Sequence, residues 1–177
     1  MSEYPGLFIT FEGGDGAGNS THIRFLAAEL ERRGHEVVCL REPGGTAIGE
    51  ALRNLVLDPA HAEMDPKTEL LIYEAARAQI VAEVIRPALA RGAVVLCDRF
   101  ADSTVAYQGF GRGLDRDFIA AANHFACEGL IPDKTILMVS GLSAAESLDR
   151  ATRNDGADRL ELAGVDFHAR VNAGFTE

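Results

Sequence analysis

Residues 11–21, FEGGDGAGNST, constrain the fold more than any other stretch of the chain. The apolar run LFITF at 7–11 leads into them, and an amphipathic pattern follows over 20–33. A strand, a glycine-rich turn and a helix in this order are typical of a phosphate-binding loop. Glycine lets successive backbone N–H groups face one anion, and the helix dipole adds to the attraction. We therefore expect this turn to bind the phosphates of a nucleotide.

One position of the loop departs from the pattern G-x-x-x-x-G-K-[ST]. Gly13, Gly18 and Ser20 match it, but Asn19 occupies the position of the lysine. Asparagine is shorter than lysine and uncharged, so it can donate a hydrogen bond but cannot neutralise the charge of a phosphate. We expect the backbone of the loop to keep binding phosphate, whereas the rate of transfer falls by about 10²–10³-fold.

Composition favours one globular domain. The chain has 177 residues, of which 47% are apolar and 25% charged, which is ordinary for such a domain. A net charge of −10 argues against a protein that coats nucleic acid, but it leaves a small anionic substrate open. The three cysteines are far apart in the sequence and form no metal or redox pair, and we expect Cys39 and Cys97 to be buried.

Nothing in the sequence predicts a membrane or export segment. The first residues, MSEYPGLF, lack a basic stretch followed by an apolar core, and no apolar run approaches the ~18 residues that a membrane span needs. We therefore expect a cytoplasmic protein with no membrane partner.

Strand and helix patterns alternate along the chain. The apolar runs, rich in β-branched residues, predict parallel strands buried on both faces, at Leu7–Phe11, Glu36–Leu40, Ala93–Cys97 and Thr135–Val139. Helical patterns lie between and after them, at Ser20–Arg33, Ala47–Leu57, Pro66 to about Ala90, Asp115–Cys127, Ser143–Arg153 and from Asp166 onward. This order predicts a single α/β domain over 1–177, a three-layer sandwich with a central parallel sheet covered by helices on both faces.

Three further segments carry polar groups suited to nucleotide chemistry. CDRF at 97–100 places Asp98 at the carboxyl end of a strand, where a carboxylate can hold Mg²⁺, and Arg99 beside it can bind a phosphate. REPGGT at 41–46 leaves the second strand into a glycine turn, and alone it is a weak signal. DSTVAYQGFGRG at 102–113 combines hydroxyls, an aromatic ring and an amide, a mixture that suits recognition of a base or sugar.

Taken together, these segments resemble the thymidylate kinase family of P-loop nucleoside monophosphate kinases over nearly the whole chain. The family shows the same order and spacing of FEGGDGAGNST, REPGGT, RAQ at 77–79, CDRF and DSTVAYQGFGRG, followed by PD at 132–133 and DRLE at 158–161. The resemblance implies a P-loop NTPase-type fold and transfer of the γ-phosphoryl group of ATP to dTMP, giving dTDP. It also implies Mg²⁺, the small-molecule ligands ATP and dTMP, and a homodimer.

The same resemblance implies roles for particular residues. The loop that would hold ATP comprises Gly13, Gly14, Asp15, Gly16, Ala17, Gly18, Asn19, Ser20 and Thr21, and Ser20 and Asp98 would hold the metal. The dTMP site would comprise Arg53, Tyr73, Arg77, Arg99, Ser103, Thr104, Tyr107 and Gln108. The catalytic groups would be Asp15, Asp98 and Arg99, together with Arg150 and Arg153 of a mobile lid at about 150–159.

Within the dTMP site the implied roles are distinct. Arg99, Arg77 and Arg53 would bind the phosphate. Tyr73 would stack on thymine, and Gln108 with Ser103 or Thr104 would reach the base. Tyr107 would lie against the deoxyribose, and Asp15 would meet the side that carries the 3′-hydroxyl.

Four departures from the family pattern bear on activity. Asn19 replaces lysine, Glu74 carries the acid that the family has at position 76, and Met138 with Val139 stands where an acid is common. The family also continues with a further strand beside the adenine and a closing helix, which this sequence lacks. We expect that lack to weaken binding of the ATP base and to lower stability relative to an extended chain.

Three functions remain open on these residues. The first is a thymidylate kinase, slowed by Asn19. The second is a nucleotide-binding homologue that has lost transfer, and the third is a kinase of another nucleoside monophosphate.

Overall fold

A computed structural model describes residues 4–152 and 157–177, and its centre is a parallel sheet. The strands in the described residues are β1 (Leu7–Glu12), β2 (Val37–Arg41), β3 (Val94–Asp98) and β4 (Lys134–Leu137), in the spatial order β2-β3-β1-β4. Every pairing is parallel. Each strand lies within two residues of the bounds predicted from the sequence.

Eight α-helices flank this sheet within the described residues. They are α1 (Asn19–Arg32), α2 (Ala47–Leu57), α3 (Pro66–Ile80), α4 (Arg86–Ala90), α5 (Ala101–Thr104), α6 (Arg116–Cys127), α7 (Ala144–Thr152) and α8 (Val165–Thr176). A π-helical turn at Val81–Ile85 joins α3 to α4, so the predicted helix from Pro66 to Ala90 runs without a break. Its start is capped as predicted, because the Asp65 side chain accepts from the N–H of Lys67 and Pro66 follows it.

The two faces of the sheet bury two apolar clusters, as the three-layer prediction requires. Phe8, Val95 and Cys97 point to one face, where the helical run from α3 to α4 covers them. Ile9, Phe11, Val94 and Leu96 point to the other face and pack on α1. Alternate residues of one strand serve opposite faces, which is why these strands are apolar throughout.

Strand order brings the two polar strand ends together. β1 and β3 are neighbours, with Phe11 opposite Asp98, and each continues beyond its carboxyl end into a polar loop. In open α/β sheets the ligand site lies at the carboxyl edge of the strands where the strand order reverses. The phosphate loop and Asp98 therefore meet at that edge.

Two sequence expectations are wrong, the burial of Cys39 and the burial of β2 and β4 on both faces, since all four residues of β4 are exposed and β2 is only partly buried. Cys39 is exposed because β2 is an edge strand of the sheet, whereas Cys97 is buried as predicted. The segment 102–113 is largely helical. α5 continues into a π-helix at Val105–Gly111 that packs against α8 and buries most of its residues. Within the described residues, no helix has both the length and the apolar character needed to cross a membrane.

Candidate active site

The glycines of the phosphate loop adopt backbone geometry that side chains rarely permit. Gly13, Gly16 and Gly18 have positive φ angles of 145°, 71° and 100°. Gly18 is left-handed immediately before α1, so the helix begins with its N-terminal N–H groups facing the loop. This is the arrangement that binds phosphate at a helix N-terminus.

Asn19 turns away from the loop and toward the sheet. Its amide nitrogen lies 3.2 Å from the carbonyl oxygen of Phe11 and 3.1 Å from Oδ1 of Asp98, and the residue is 7% exposed. Its amide oxygen is buried without a hydrogen-bond partner among the described residues. The side chain that replaces lysine therefore adds no positive charge and bridges β1 to Asp98.

Ser20 and Asp98 lie together as the sequence predicts for metal ligands. The Ser20 hydroxyl donates to Oδ2 of Asp98 over 2.6 Å, and Ser20 is exposed. A hydroxyl and a carboxylate are the oxygen donors that Mg²⁺ takes in phosphoryl-transfer sites. The pair therefore fits a magnesium ion.

Arg99 joins the carboxyl end of β3 to the phosphate loop. Its guanidinium donates to the carbonyl oxygen of Gly13 and to Oδ1 of Asp15, each over 2.7 Å. Burial alone would raise the pKa of Asp15, but Arg99 and His168 outweigh burial and lower that pKa to about 2. Asp15 is thus a fixed anion at the end of the loop.

Arg99 lies in a strained turn, and hydrogen bonds to Glu12 stabilise that turn. Arg99 has a φ of 69°, which is uncommon for a residue with a side chain. The carboxylate of Glu12 accepts from the N–H of Phe100 over 2.7 Å and from the Ser103 hydroxyl over 2.6 Å. Burial raises the pKa of Glu12 to about 7, against the opposing effects of Ser103 and Arg99.

Glu12→Gln is expected to flatten the pH dependence of stability. The folded pKa is about 7 and the ordinary value is 4.5, so protonated Glu12 favours the folded state. This contribution is fully present below pH 4.5 and is lost as pH rises through 7, a change of about 3 kcal/mol. The free energy of unfolding, measured from pH 5 to 8, should fall more steeply in the parent than in the variant. Glu31→Gln, at an exposed position, is the control, and equal slopes for Glu12→Gln and the parent would contradict the assignment.

Arg77 lies at the floor of the site and is 1% exposed. Its Nε and Nη2 donate to Oε2 of Glu42 over 2.9 and 2.7 Å. All three guanidinium nitrogens donate within the protein, and the further acceptors are Glu74, Phe100, Thr104 and Asn123. The acid that the sequence places at Glu74 therefore still reaches Arg77, over 3.0 Å.

One cavity of about 270 Å³ collects the predicted substrate residues. All eight of them line it, which are Arg53, Tyr73, Arg77, Arg99, Ser103, Thr104, Tyr107 and Gln108. Asp15, Ser20 and Asp98 line the same cavity, as do Arg41, Glu42 and Asp158. Residues separated by more than a hundred positions thus form one wall beside the phosphate loop.

A second cavity, of about 230 Å³, lies on the other side of the loop. Gly13, Gly14, Asp15 and Ala17 line it together with residues that follow β4 and the last turns of α8. Asp15 therefore separates two cavities. Of the predicted lid arginines, Arg150 is exposed on α7 and lines neither cavity, and Arg153 lies outside the described residues.

Comparison with known proteins decides the family. The family model of thymidylate kinase matches residues 11–177. This chain belongs to the thymidylate kinase family. The thymidylate kinase of Geobacter sulfurreducens is 51% identical over 174 residues, covering 96% of this chain and 82% of that protein. The thymidylate kinase of Pseudomonas fluorescens is 53% identical over 170 residues, covering 96% of this chain and 80% of that protein.

A solved structure agrees with the fold as well as the sequence. The crystal structure of the thymidylate kinase from Ehrlichia chaffeensis has a TM-score of 0.76 and 35% sequence identity, covering 97% of this chain and 79% of that chain. Membership of the thymidylate kinase family thus confirms the resemblance drawn from the phosphate loop and the segments at 41–46 and 102–113.

Glu69 is a buried anchor of the site that sequence reasoning did not single out. Its carboxylate is 0% exposed and accepts from Gln108, Arg112 and Arg159, over 2.8, 2.9 and 2.6 Å for the shortest bond to each. Arg159 also donates to the carbonyl oxygen of Val56. Glu69 therefore fixes Gln108 and ties the segment around 159 to α2 and α3.

Glu69→Ala is expected to lower the free energy of unfolding by about 3–5 kcal/mol. The change leaves Arg159, whose side chain is 5% exposed, without its buried carboxylate partner. Denaturant unfolding at pH 7 measures the loss, and Glu63→Ala on the exposed turn before α3 is the matched control. A loss below about 1 kcal/mol for Glu69→Ala would show that the cluster is not held as described.

Proposed function

We propose that this protein transfers the γ-phosphoryl group of ATP to dTMP, forming dTDP and ADP. The observation that carries the proposal is the cavity of about 270 Å³ beside the phosphate loop, since all eight residues assigned to the substrate line it. Family membership supports the same activity. The acidic surface is compatible with an anionic substrate because the cavity concentrates arginines locally.

The phosphate of dTMP would lie among Arg99, Arg53 and Arg41. Arg41 and Arg53 both donate to the carbonyl oxygen of Pro43, so two guanidinium groups converge on one wall of the cavity. Burial and the neighbouring Arg41 lower the pKa of Arg53, against the opposing effects of Tyr73, Glu50 and Asp158. A phosphate between the two arginines would offset their mutual repulsion. A direct contact of Arg77 with the substrate stays a prediction, because its nitrogens already serve Glu42, Glu74 and their neighbours.

The thymine ring would lie between Tyr73 and Gln108. Glu69 accepts from the amide nitrogen of Gln108, which leaves the carbonyl end of that amide for the base. A carbonyl oxygen matches the N3–H donor of thymine, whereas the corresponding position of adenine is an acceptor. Ser103 or Thr104 would complete the polar edge, and Tyr107 would lie against the deoxyribose.

In the transfer step the bond between the γ-phosphorus and the bridging oxygen of ADP breaks, and a bond to an oxygen of the dTMP phosphate forms. A phosphate monoester with a second pKa near 6 is largely dianionic at neutral pH, so the attacking oxygen needs no general base. This chain would act by positioning and charge stabilisation, through the loop N–H groups, Arg99 and the arginines assigned to the lid, Arg150 and Arg153. A magnesium ion, which Ser20 and Asp98 would hold, supplies further neutralisation of phosphate charge when bound.

A panel of nucleoside monophosphates tests the assignment. The protein with ATP and Mg²⁺ is offered dTMP, dUMP, AMP and dGMP, binding is measured by calorimetry, and products are separated by chromatography. We expect dTMP to bind best and dTDP to form. Preference for a purine monophosphate would overturn the base assignment. Binding of dTMP without dTDP would favour the second candidate, a nucleotide-binding protein without transfer, for which the uncharged, inward-turned Asn19 is the supporting observation.

A homodimer is proposed from the resemblance alone. Much of the apolar face of the helical run from α3 to α4 is buried, since Leu70, Val81, Ile85 and Leu89 pack inside the protein. Exposed apolar side chains elsewhere on α3 and α6, such as Leu71 and Phe118 at 56% each, are available for association. Sedimentation at micromolar concentration measures the state directly.

A further inference from the structure

His168 is a buried polar side chain that reaches the phosphate loop from α8. It is 4% exposed, and its Nδ1 lies 3.3 Å from Oδ2 of Asp15. Its Nε2 lies 3.1 Å from the carbonyl oxygen of Leu160. The edge of the Phe167 ring system packs beside it, with the ring centroids 5.2 Å apart. The side chain thus connects the loop to the segment that precedes α8.

Both atoms that face the imidazole accept hydrogen bonds and cannot donate them. One is a carbonyl oxygen and the other belongs to Asp15, whose low pKa keeps it ionised. A neutral imidazole has a single N–H, so it would direct one nitrogen lone pair at an oxygen. Only the doubly protonated ring satisfies both contacts. Burial lowers the pKa of His168, but Asp15 and the carbonyl of Leu160 outweigh burial and raise it.

The surroundings add little that would oppose this charge. Glu161, from the turn before α8, is a further carboxylate that interacts with His168. Arg99 binds the other oxygen of Asp15 over 2.7 Å. Asp15 therefore lies between two cations, one at each carboxylate oxygen, and its position is fixed from both sides.

We propose that His168 is a positioning residue of the kinase: as an imidazolium it holds Asp15 against Arg99 and fastens the phosphate loop to the backbone at Leu160. The proposal rests on the proposed function, in which Asp15 meets the sugar of dTMP. Because Asp15 lines both cavities, its orientation affects the substrate side and the ATP side together. Loss of His168 would remove the imidazole at Oδ2 of Asp15, while Arg99 would still bind Oδ1.

The first test reads the proton on His168 without any enzyme assay. Ring ¹⁵N spectra of the protein contain five histidines, and the signal missing in His168→Asn identifies this one. We expect both ring nitrogens of His168 to be protonated at pH 7, and Asp15→Asn to lower its pKa. A neutral His168 at pH 7, or a titration unchanged by Asp15→Asn, would overturn the proposal.

The second test is a double-mutant cycle on transfer. His168→Asn is expected to lower kcat/KM for dTMP by about 10-fold or more, the size of one charge-assisted hydrogen bond. The double variant His168→Asn with Asp15→Asn should have the same kcat/KM as Asp15→Asn alone, because both substitutions remove the same contact. Fully additive losses would contradict the coupling. His124→Asn, exposed on α6, is the control and should keep parental activity.

Two controls distinguish a folding defect from a loss of the positioning role, and failure of the proposed function from failure of that role. Melting curves show whether His168→Asn is folded, and His168→Gln repeats the cycle if the asparagine variant is not. A parent that forms no dTDP would reject the proposed function, and the spectra would still decide the pairing of His168 with Asp15. Spectra that show a neutral ring in an active parent would reject only the positioning role.

Discussion

Arg99→Met is expected to reduce kcat for dTDP formation by about 10²–10³-fold. The guanidinium lies on the wall of the substrate cavity while donating to Gly13, Asp15 and Ser103. Methionine keeps much of the side-chain bulk but removes every donor and the charge, so the phosphate loses its principal partner at the loop.

The surface provides a matched control for this variant. Arg91 forms an exposed ion pair with Glu36, in which the side chains are 48% and 54% exposed, and Arg91→Met should leave kcat unchanged. Steady-state transfer with saturating ATP and dTMP measures both variants. A kcat for Arg99→Met within threefold of the parent would mean that Arg99 serves the fold and not the reaction.

Asn19→Lys is expected to raise kcat by about 10²-fold or more. The asparagine amide donates to the carbonyl oxygen of Phe11 and to Asp98. The loop therefore presents backbone N–H groups to a phosphate without a side-chain cation at position 19. A lysine at this position would bring an ammonium group to the phosphates at the point where negative charge develops during transfer. KM for dTMP should change little, since Asn19 does not line the substrate cavity.

A second substitution at position 19 separates the effect of side-chain length from the effect of charge. Asn19→Met supplies a longer side chain without charge, and we expect it to give no gain. Equal rates for the parent and Asn19→Lys would show that the lid or the metal already provides the missing charge, and that the loop does not limit transfer.

The central strands β1 and β3 were predictable because they are buried on both faces. Runs such as LFITF are apolar on both faces and are therefore easy to recognise as buried strands. The phosphate-binding loop that follows LFITF identified it as the strand that leads into the nucleotide site. The eight residues proposed for the substrate site came only from resemblance to a family. Nothing in their spacing says that Arg53 and Gln108 meet across one cavity.

The helical structure of 105–111 and the contact of His168 could not be predicted from the sequence, for physical reasons. The segment 105–111 contains Gly109 and Gly111, which favour a loop, but packing against α8 makes it helical. Adding a Cβ at Gly111 would bring it to 2.6 Å from the Phe167 ring, so close approach of α8 requires glycine there. His168 gave no signal, because a single histidine in a helix does not reveal which loop it touches.

The direction of Asn19 is likewise a property of three dimensions. The sequence predicted an uncharged hydrogen-bond donor in place of lysine. The structure shows that its amide turns toward Asp98, a neighbour that only strand order brings within reach. The substitution therefore does more than remove a positive charge. The Asn19 side chain contacts Asp98, a proposed metal ligand, instead of the nucleotide.

Formation of dTDP from ATP, Mg²⁺ and dTMP by the unaltered chain is the most direct measurement of the central claim. Single-turnover reactions with excess protein detect even slow transfer, and Arg99→Met purified in the same way controls for a trace contaminant. We predict that dTDP appears at a rate that Asn19→Lys increases and Arg99→Met abolishes or nearly abolishes. The absence of dTDP from both the parent and Asn19→Lys, with no binding of dTMP to either, would contradict the account.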